Sequence, residues 1–271
     1  MKGARATPRL AFGPAAVAGE RVLPEECAVA LSFNGSTQAV MMATPADLED
    51  FARGFALTEG IATPAEILSV EVVGTGNGID VQTWLAPEAE ARLAARRRTM
   101  AGPVGCGLCG IDSIGQALRE PDPVPQGGLR MTPAQVMAAV AALPQGQPLH
   151  DLTRSAHCAG FWTGGALAAT REDVGRHNAL DKLAGWMLGS GVAPAQGAVV
   201  LTSRVSIDLV QKVAAMRAGI LIAVSAPTAD AVALADRAGI TLIAMARPDR
   251  FEAFTHTERI VTEPADVGQS R

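Results

Sequence analysis

The residues best suited to chemistry lie in Gly105-Cys106-Gly107-Leu108-Cys109-Gly110, a Cys-x-x-Cys pair framed by three glycines. Glycine frees the backbone and weakens any regular element, so this stretch is expected to be an exposed loop. It holds half of the chain's four cysteines. A thiol pair of this kind serves as half a zinc site, a redox couple or a persulfide carrier, or it is two incidental thiols. The glycine frame counts against chance.

Other residues narrow the choice. A zinc site completed by His157 and Cys158 is disfavoured, because adjacent side chains on a strand point to opposite faces and the sequence has no second Cys-x-x-Cys. No structural metal is expected. A thioredoxin-like couple should open a helix after a strand, whereas here glycine and then a linker-like stretch follow. Cys27 lies in an apolar run and reads as a core residue. Two polar stretches remain. Asp173-Val174-Gly175-Arg176-His177-Asn178 opens a helix, where it either lines an anion site or merely caps. Arg96-Arg97-Arg98 ends another helix, where it meets an acidic group or is solvated.

The elements that position these groups belong to a folded chain. Apolar residues make up 48% of its 271 residues and charged ones 18%, enough for one large domain or two. A net charge of -4 argues against a general nucleic-acid binder, and the absence of tyrosine argues against a base-stacking platform. No apolar run follows Lys2, Arg5 and Arg9, so no secretory signal is expected. Ile220-Leu221-Ile222-Ala223-Val224, among the longest apolar runs, is too short to cross a bilayer. The default location is the cytoplasm, which keeps thiols reduced and reactive.

Residues 1–24 read as irregular. Cys27–Phe33 and Gln38–Met42 flank Asn34-Gly35, a strong hairpin signal. Thr44-Pro45-Ala46-Asp47 is expected to cap a helix whose Leu48, Phe51, Ala52 and Phe55 share one face, with Gly60 ending it. Thr63-Pro64-Ala65-Glu66 is a capping-box pattern. Strands over Leu68–Val73 and Ile79–Leu85 and a helix over Glu88–Met100 complete a small α+β domain, residues 25–110, that ends in the cysteine loop. Residues 111–130, with three prolines and three glycines, read as linker.

Residues 131–271 change pattern. A helix capped by Thr132-Pro133-Ala134-Gln135 runs to about Leu143, two strand-like pieces follow in His157–Thr170, and a helix covers Asp173–Leu188. Next come a strand over Gly197–Thr202 and a helix over Ile207–Ala218 closed by Gly219. Then Arg217-Ala218-Gly219-Ile220 and Arg237-Ala238-Gly239-Ile240 each lead from a helix into a short apolar strand. Such alternation predicts an α/β fold with parallel strands and helices packed on the sheet. The strands' carboxyl ends then share one edge, the edge where ligands bind in open α/β sheets. Ser203-Arg204, Ser225-Ala226-Pro227-Thr228 and Arg247-Pro248-Asp249-Arg250 leave from it.

The glycine-framed cysteine pair, Met41-Met42-Ala43, Phe55-Ala56-Leu57-Thr58-Glu59-Gly60 and Asp173-Val174-Gly175-Arg176-His177-Asn178-Ala179-Leu180-Asp181-Lys182 together resemble the FdhD family of formate dehydrogenase accessory sulfurtransferases. Ser203-Arg204, Val210-Gln211-Lys212 and Thr255-His256 are similar too, and the likeness runs from about Glu25 to Arg259. The resemblance implies a cytidine-deaminase-like α/β/α domain behind the smaller N-terminal one. It also implies a sulfur carrier that takes persulfide sulfur from a cysteine desulfurase. That sulfur passes to the molybdenum bis(guanine dinucleotide) cofactor of formate dehydrogenase. Cys106 matches the persulfide cysteine and Cys109 its companion, while Met245, Ala246, Arg247, Pro248, Asp249 and Arg250 match a cofactor-contacting segment. The deaminase zinc signature is missing, so deaminase chemistry is not expected. Cys158 stands where a small residue would be expected, which opens the question of a third reactive thiol. A homodimer is compatible with the resemblance. The competing function is a cofactor-binding chaperone whose cysteines are dispensable.

Overall fold

The computed structural model describes residues 3–99 and 119–261, with the side chains of residues 96–99 excluded. Cys106, Cys109 and the side chains of Arg96, Arg97 and Arg98 lie outside the described residues.

The chain opens on β1 (Ala4–Phe12) and β2 (Ala16–Pro24), an antiparallel ribbon where irregular chain was expected. Gly13 and Pro14 are in its turn. β3 (Cys27–Phe33) and β4 (Ser36–Ala43) form the expected hairpin, and Asn34 and Gly35 at its tip have φ of 46° and 74°. This conformation suits asparagine and glycine. Helix α1 (Leu48–Thr58) follows, then β5 (Ile67–Thr75), β6 (Gly78–Leu85) and α2 (Pro87–Thr99). The four strands form a sheet in the order β4-β3-β6-β5. α1 lays Leu48, Phe51, Ala52 and Phe55 against Val29, Leu31, Phe33 and Val81 of that sheet, so the apolar stripe expected from helical spacing faces this core. The predicted capping box is present between Thr63 and Glu66. Thr44 does not cap α1. The residue before the helix is Asp47 in a left-handed conformation, and Thr44 is drawn elsewhere.

The described part of the expected linker, residues 119–130, is packed. Val124 is buried against the C-terminal core and its N–H donates to the Ala238 carbonyl. Helices α3 (Pro133–Ala142) and α4 (Pro148–Thr153) precede β7 (His157–Thr163) and β8 (Ala166–Asp173). Then α5 (Arg176–Ser190), β9 (Gly197–Leu201), α6 (Ile207–Ala215), β10 (Ile220–Ala223), α7 (Ala229–Arg237), β11 (Thr241–Ala244) and β12 (Glu252–Ala253) follow.

These strands form one six-stranded sheet, β12-β11-β10-β9-β7-β8. β9, β10 and β11 are mutually parallel, as the repeat predicted. Side chains alternate strictly between two cores. Val199, Leu201, Leu221, Ala223, Leu242 and Ala244 face α5, α6 and α7. Ala198, Val200, Ile220, Ile222 and Ile243 face α3 and its flanking segments. With both faces covered, every residue of β9, β10 and β11 is buried, hence their unbroken apolar runs. The two copies of the repeat close differently. Gly239 takes the left-handed position after α7, with φ of 71°. After α6 that position falls on Arg217, φ 62°, so Gly219 is not the residue that turns the chain there.

The N-terminal sheet and the six-stranded sheet meet through α1 and α5. A Cβ on Gly54 would lie 1.7 Å from the Asp181 carbonyl oxygen, and one on Gly185 would lie 1.8 Å from that of Asp50. Only glycine permits so close a crossing.

Candidate functional site

The carboxyl edge of the parallel strands collects most of the polar segments singled out in the sequence. Leaving β11, the Met245 N–H donates to the Ser225 carbonyl at 3.2 Å and the Ala246 N–H to the Ala223 carbonyl at 3.1 Å. This segment therefore lies beside the end of β10, as its place in the repeat required. The Arg247 N–H then donates to the Arg250 carbonyl at 2.7 Å and closes a tight turn over Pro248 and Asp249. The Arg247 guanidinium is half-buried and donates back to the Val224 and Ala246 carbonyls, so it is fixed against the sheet. Arg250 and Asp249 are exposed and pair with each other at 3.3 Å. Ala246 is fully buried, so it can meet a ligand only through its backbone.

The other segments reach the same edge. β8 pairs antiparallel to β7, and β7 antiparallel to β9, so β8 ends where β9 ends. Helices α5, α6 and α7 all begin there, with their N–H groups directed to the edge. His177 at the start of α5 pairs through Nε2 with the carboxylate of Asp208 at the start of α6. Burial alone would raise the Asp208 carboxyl, but the pairing with His177 holds it well below the usual carboxylate range. His157 lies opposite Asp173 across the β7–β8 ladder. Its imidazole is pushed below its ordinary value, first by burial and then by the nearby Arg176 and His177.

Asp173 itself neither lines an open site nor caps α5. The residue before the helix is Gly175, and Asp173 ends β8, fully buried. Its Oδ1 accepts from the Gly175 N–H and the Asn178 amide, and its Oδ2 from the Thr44 N–H and Lys182 Nζ. Lys182 also donates to the Thr44 carbonyl at 2.9 Å, and the Asn178 amide to the Met42 carbonyl. A second cluster lies one turn along. Lys212 Nζ reaches both Asp181 oxygens at 2.9 and 3.0 Å, Glu59 Oε1 at 2.7 Å and Thr58 Oγ1 at 3.0 Å. Burial raises the Asp181 carboxyl; Lys212 and Thr58 oppose that rise. Arg119, the first described residue after the cysteine segment, donates to the Thr58 and Glu59 carbonyls, and its own carbonyl accepts from Gln211. These buried pairs join the α1 end of the N-terminal part to α5 and α6. Sequence reasoning did not find them. The signal was present: Asp181 and Lys182 stand inside the otherwise apolar run Ala179–Ala184.

The two described cysteines are poor nucleophiles. Cys158 is buried on the α3 side of the sheet, and burial together with the Glu172 charge pushes its thiol far above the ordinary range. Cys27 is partly buried, donates to the Ala43 carbonyl, and is also raised, chiefly by burial. Among the described residues no group of three or more His, Cys, Asp or Glu is placed to hold a metal ion, and no helix is long and apolar enough to cross a membrane.

Several of the described motif pieces, Met42, Thr58-Glu59, Asp173, Asn178, Asp181-Lys182 and Lys212, are thus brought together by these hydrogen bonds. The FdhD/NarQ family profile matches residues 24–261. The chain belongs to the FdhD/NarQ family. It is 53% identical over 245 residues to the sulfur carrier protein FdhD of Agrobacterium fabrum, covering 90% of each chain. It is 51% identical to that of Brucella abortus, covering 89% of this chain and 90% of the relative. A crystal structure of a protein assigned as a formate dehydrogenase accessory protein, from Desulfotalea psychrophila, superposes with a TM-score of 0.77 at 26% identity. That superposition covers 96% of this chain and all of the other. The FdhD/NarQ match begins at residue 24, so all but the last residue of the β1–β2 ribbon precedes it.

Proposed function

We propose that this protein is a cytoplasmic sulfurtransferase in which Cys106 carries sulfur as a persulfide and Cys109 assists. In the first step the Cys106 thiolate attacks the terminal sulfur of a cysteine desulfurase persulfide. A sulfur–sulfur bond forms to Cys106, the donor's bond breaks, and the donor's cysteine leaves as thiolate. The Cys109 thiolate then attacks Cys106 Sγ, a Cys106–Cys109 disulfide forms and the outer sulfur leaves as hydrosulfide. It passes to a molybdenum bis(guanine dinucleotide) cofactor, bound as substrate, before that cofactor enters formate dehydrogenase. Cellular thiols reduce the disulfide. What carries this reading is the division among the four cysteines. In a chain of this family, Cys27 and Cys158 are held by burial with raised thiols, which leaves the glycine-framed pair to do thiol chemistry.

The carboxyl edge supplies the cofactor end of the reaction. Its three helix starts and the turn Met245–Arg250 suit a guanine nucleotide, with Arg247 and Arg250 toward phosphate and Asp249 toward the base. The layered C-terminal sheet supports assignment to the cytidine-deaminase-like architecture, used here without deaminase chemistry. Incubation with a cysteine desulfurase and cysteine tests the carrier step: intact mass should show one added sulfur, lost in Cys106→Ala. Formate dehydrogenase of ordinary activity matured in cells by Cys106→Ala would instead favour a cofactor chaperone with dispensable cysteines. For the nucleotide end, Arg247→Ala with Arg250→Ala should weaken guanosine diphosphate binding by tens of fold in calorimetric titration, each charge-assisted contact being worth ~1.5–3 kcal/mol.

A further inference from the structure

Three basic side chains from two elements meet at one corner of the carboxyl edge. His157 starts β7, and Arg176 and His177 open α5. After burial, Arg176 and His177 are the charges that push the His157 imidazole down, so the three are close. The acids of this corner are engaged. Asp173 accepts from Gly175, Asn178, Thr44 and Lys182, and Asp208 pairs with His177. Arg176 is left over. It is partly buried, its Nε is shut off from solvent, and nothing among the described residues accepts a hydrogen bond from its guanidinium. A buried donor without an acceptor costs free energy until something supplies one. By contrast, Arg247 is held by the Val224 and Ala246 carbonyls and Arg250 by Asp249.

An anion suits this corner, and strand order relates it to the nucleotide end of the cofactor. His177 joins the start of α5 to the start of α6, and α6 follows β9. β9 is two strands from β11, the strand that leads into the Met245–Arg250 turn. Two strand spacings are about 10 Å. A guanine base held at that turn can lay its phosphates across the end of β10 toward Arg176, and the phosphate farther from the base reaches farthest. A planar guanidinium is the side chain suited to that group. We propose that Arg176 binds the phosphate distal to the guanosine, while the base is held at the Met245–Arg250 turn. This rests on the cofactor reading above, and adds the direction in which the nucleotide lies. Guanine is at the β11 end of the edge, and the pterin and molybdenum end lies beyond the start of α5.

The test is calorimetric titration of the full-length protein with guanosine diphosphate, guanosine monophosphate and inorganic pyrophosphate. The parent should bind the diphosphate more tightly than the monophosphate, and pyrophosphate, which lacks the base, far more weakly than the diphosphate. Arg176→Met keeps the apolar stem and removes the guanidinium. It should weaken the diphosphate about tenfold or more, to near the monophosphate level, and leave the monophosphate unchanged, as loss of one charge-assisted contact implies. Arg176→Lys keeps the charge without the fork and should fall between the two. Arg247→Ala with Arg250→Ala should instead weaken both nucleotides together, which tells the two ends of the site apart. Thermal unfolding should stay near the parent's, and if Arg176→Met does not fold, Arg176→Lys gives the same comparison. Diphosphate affinity unchanged in the Arg176 variants, or monophosphate weakened as much as diphosphate, overturns the proposal. So does pyrophosphate binding as tightly as the diphosphate, since the corner is then a site for free anions. If the parent binds no guanosine diphosphate, the cofactor reading fails and takes this proposal with it.

Discussion

Lys182 Nζ lies 2.6 Å from Asp173 Oδ2, and both side chains are completely buried between the two sheets of the molecule. One partner is on the helix that follows β8 and the other at the end of β8 itself, while the third member, Thr44, comes from the N-terminal part. The cluster therefore joins the two parts. Removing the lysine leaves the Asp173 carboxylate buried without an opposite charge, and breaking a buried pair in this way typically costs about 3–5 kcal/mol. Lys182→Met should accordingly show a lowered urea midpoint, read by circular dichroism. A midpoint within error of the parent would mean that water replaces the ammonium.

The Gly54–Gly185 crossing makes a second expectation. A methyl at either position must displace the backbone of the facing helix, at Asp181 or Asp50. Over-packing of this kind usually costs about 1–3 kcal/mol and sometimes more. Gly185→Ala should lower stability by at least that much and Gly189→Ala, where a Cβ meets nothing within 4 Å, should not. Equal stability of the two variants would show that the helices can separate without loss.

Much of the fold was legible because it follows local rules. Asn34-Gly35 and the Thr63/Glu66 and Thr132/Gln135 capping boxes each act over a few residues and each has its expected structural outcome, and the paired Arg-Ala-Gly-Ile segments both lead into parallel strands. The edge position of Met245–Arg250 was legible as well, since strand order alone places it beside Ser225. What was illegible depends on distant partners. Thr44 reads as a helix cap until its hydroxyl accepts the N–H of Val174, 130 residues away. Gly219 reads as a helix stop, yet the left-handed turn falls on Arg217. The ribbon was not legible because its largely exposed strands pair only with each other and lack the apolar run of a buried strand. Buried Lys182 and Lys212 look like surface charges to any rule that counts hydropathy alone.

Lys212 makes the stability of the junction depend on pH at the alkaline end. Burial by itself would lower its ammonium, but Asp181 and Glu59 outweigh burial and raise it above the ordinary lysine value. A group raised by folding contributes stability that is complete below its unfolded value, about 10.4, and is lost as pH climbs through the folded one. The parent protein should thus hold its urea midpoint to about pH 10 and lose it above that, while Lys212→Met should start lower and lack this alkaline step. Parallel curves for the two proteins would remove Lys212 from the account.

Thiol reactivity separates the cysteines most directly. Cys158 is 2% exposed and has a strongly raised thiol, so it should resist iodoacetamide in the folded protein and react once urea unfolds the chain. Cys27, partly buried and tied to the Ala43 carbonyl, should label slowly. Cys106 and Cys109 should label first, because only thiols with access and thiolate character can serve the carrier chemistry. Peptide mapping of a timed alkylation gives the order. Substituting Cys158 by alanine should leave the fast phase untouched, since that thiol contributes packing and no chemistry. Early labelling of Cys158 in the folded state would make it a third reactive thiol and remove the elimination on which the assignment to Cys106 rests.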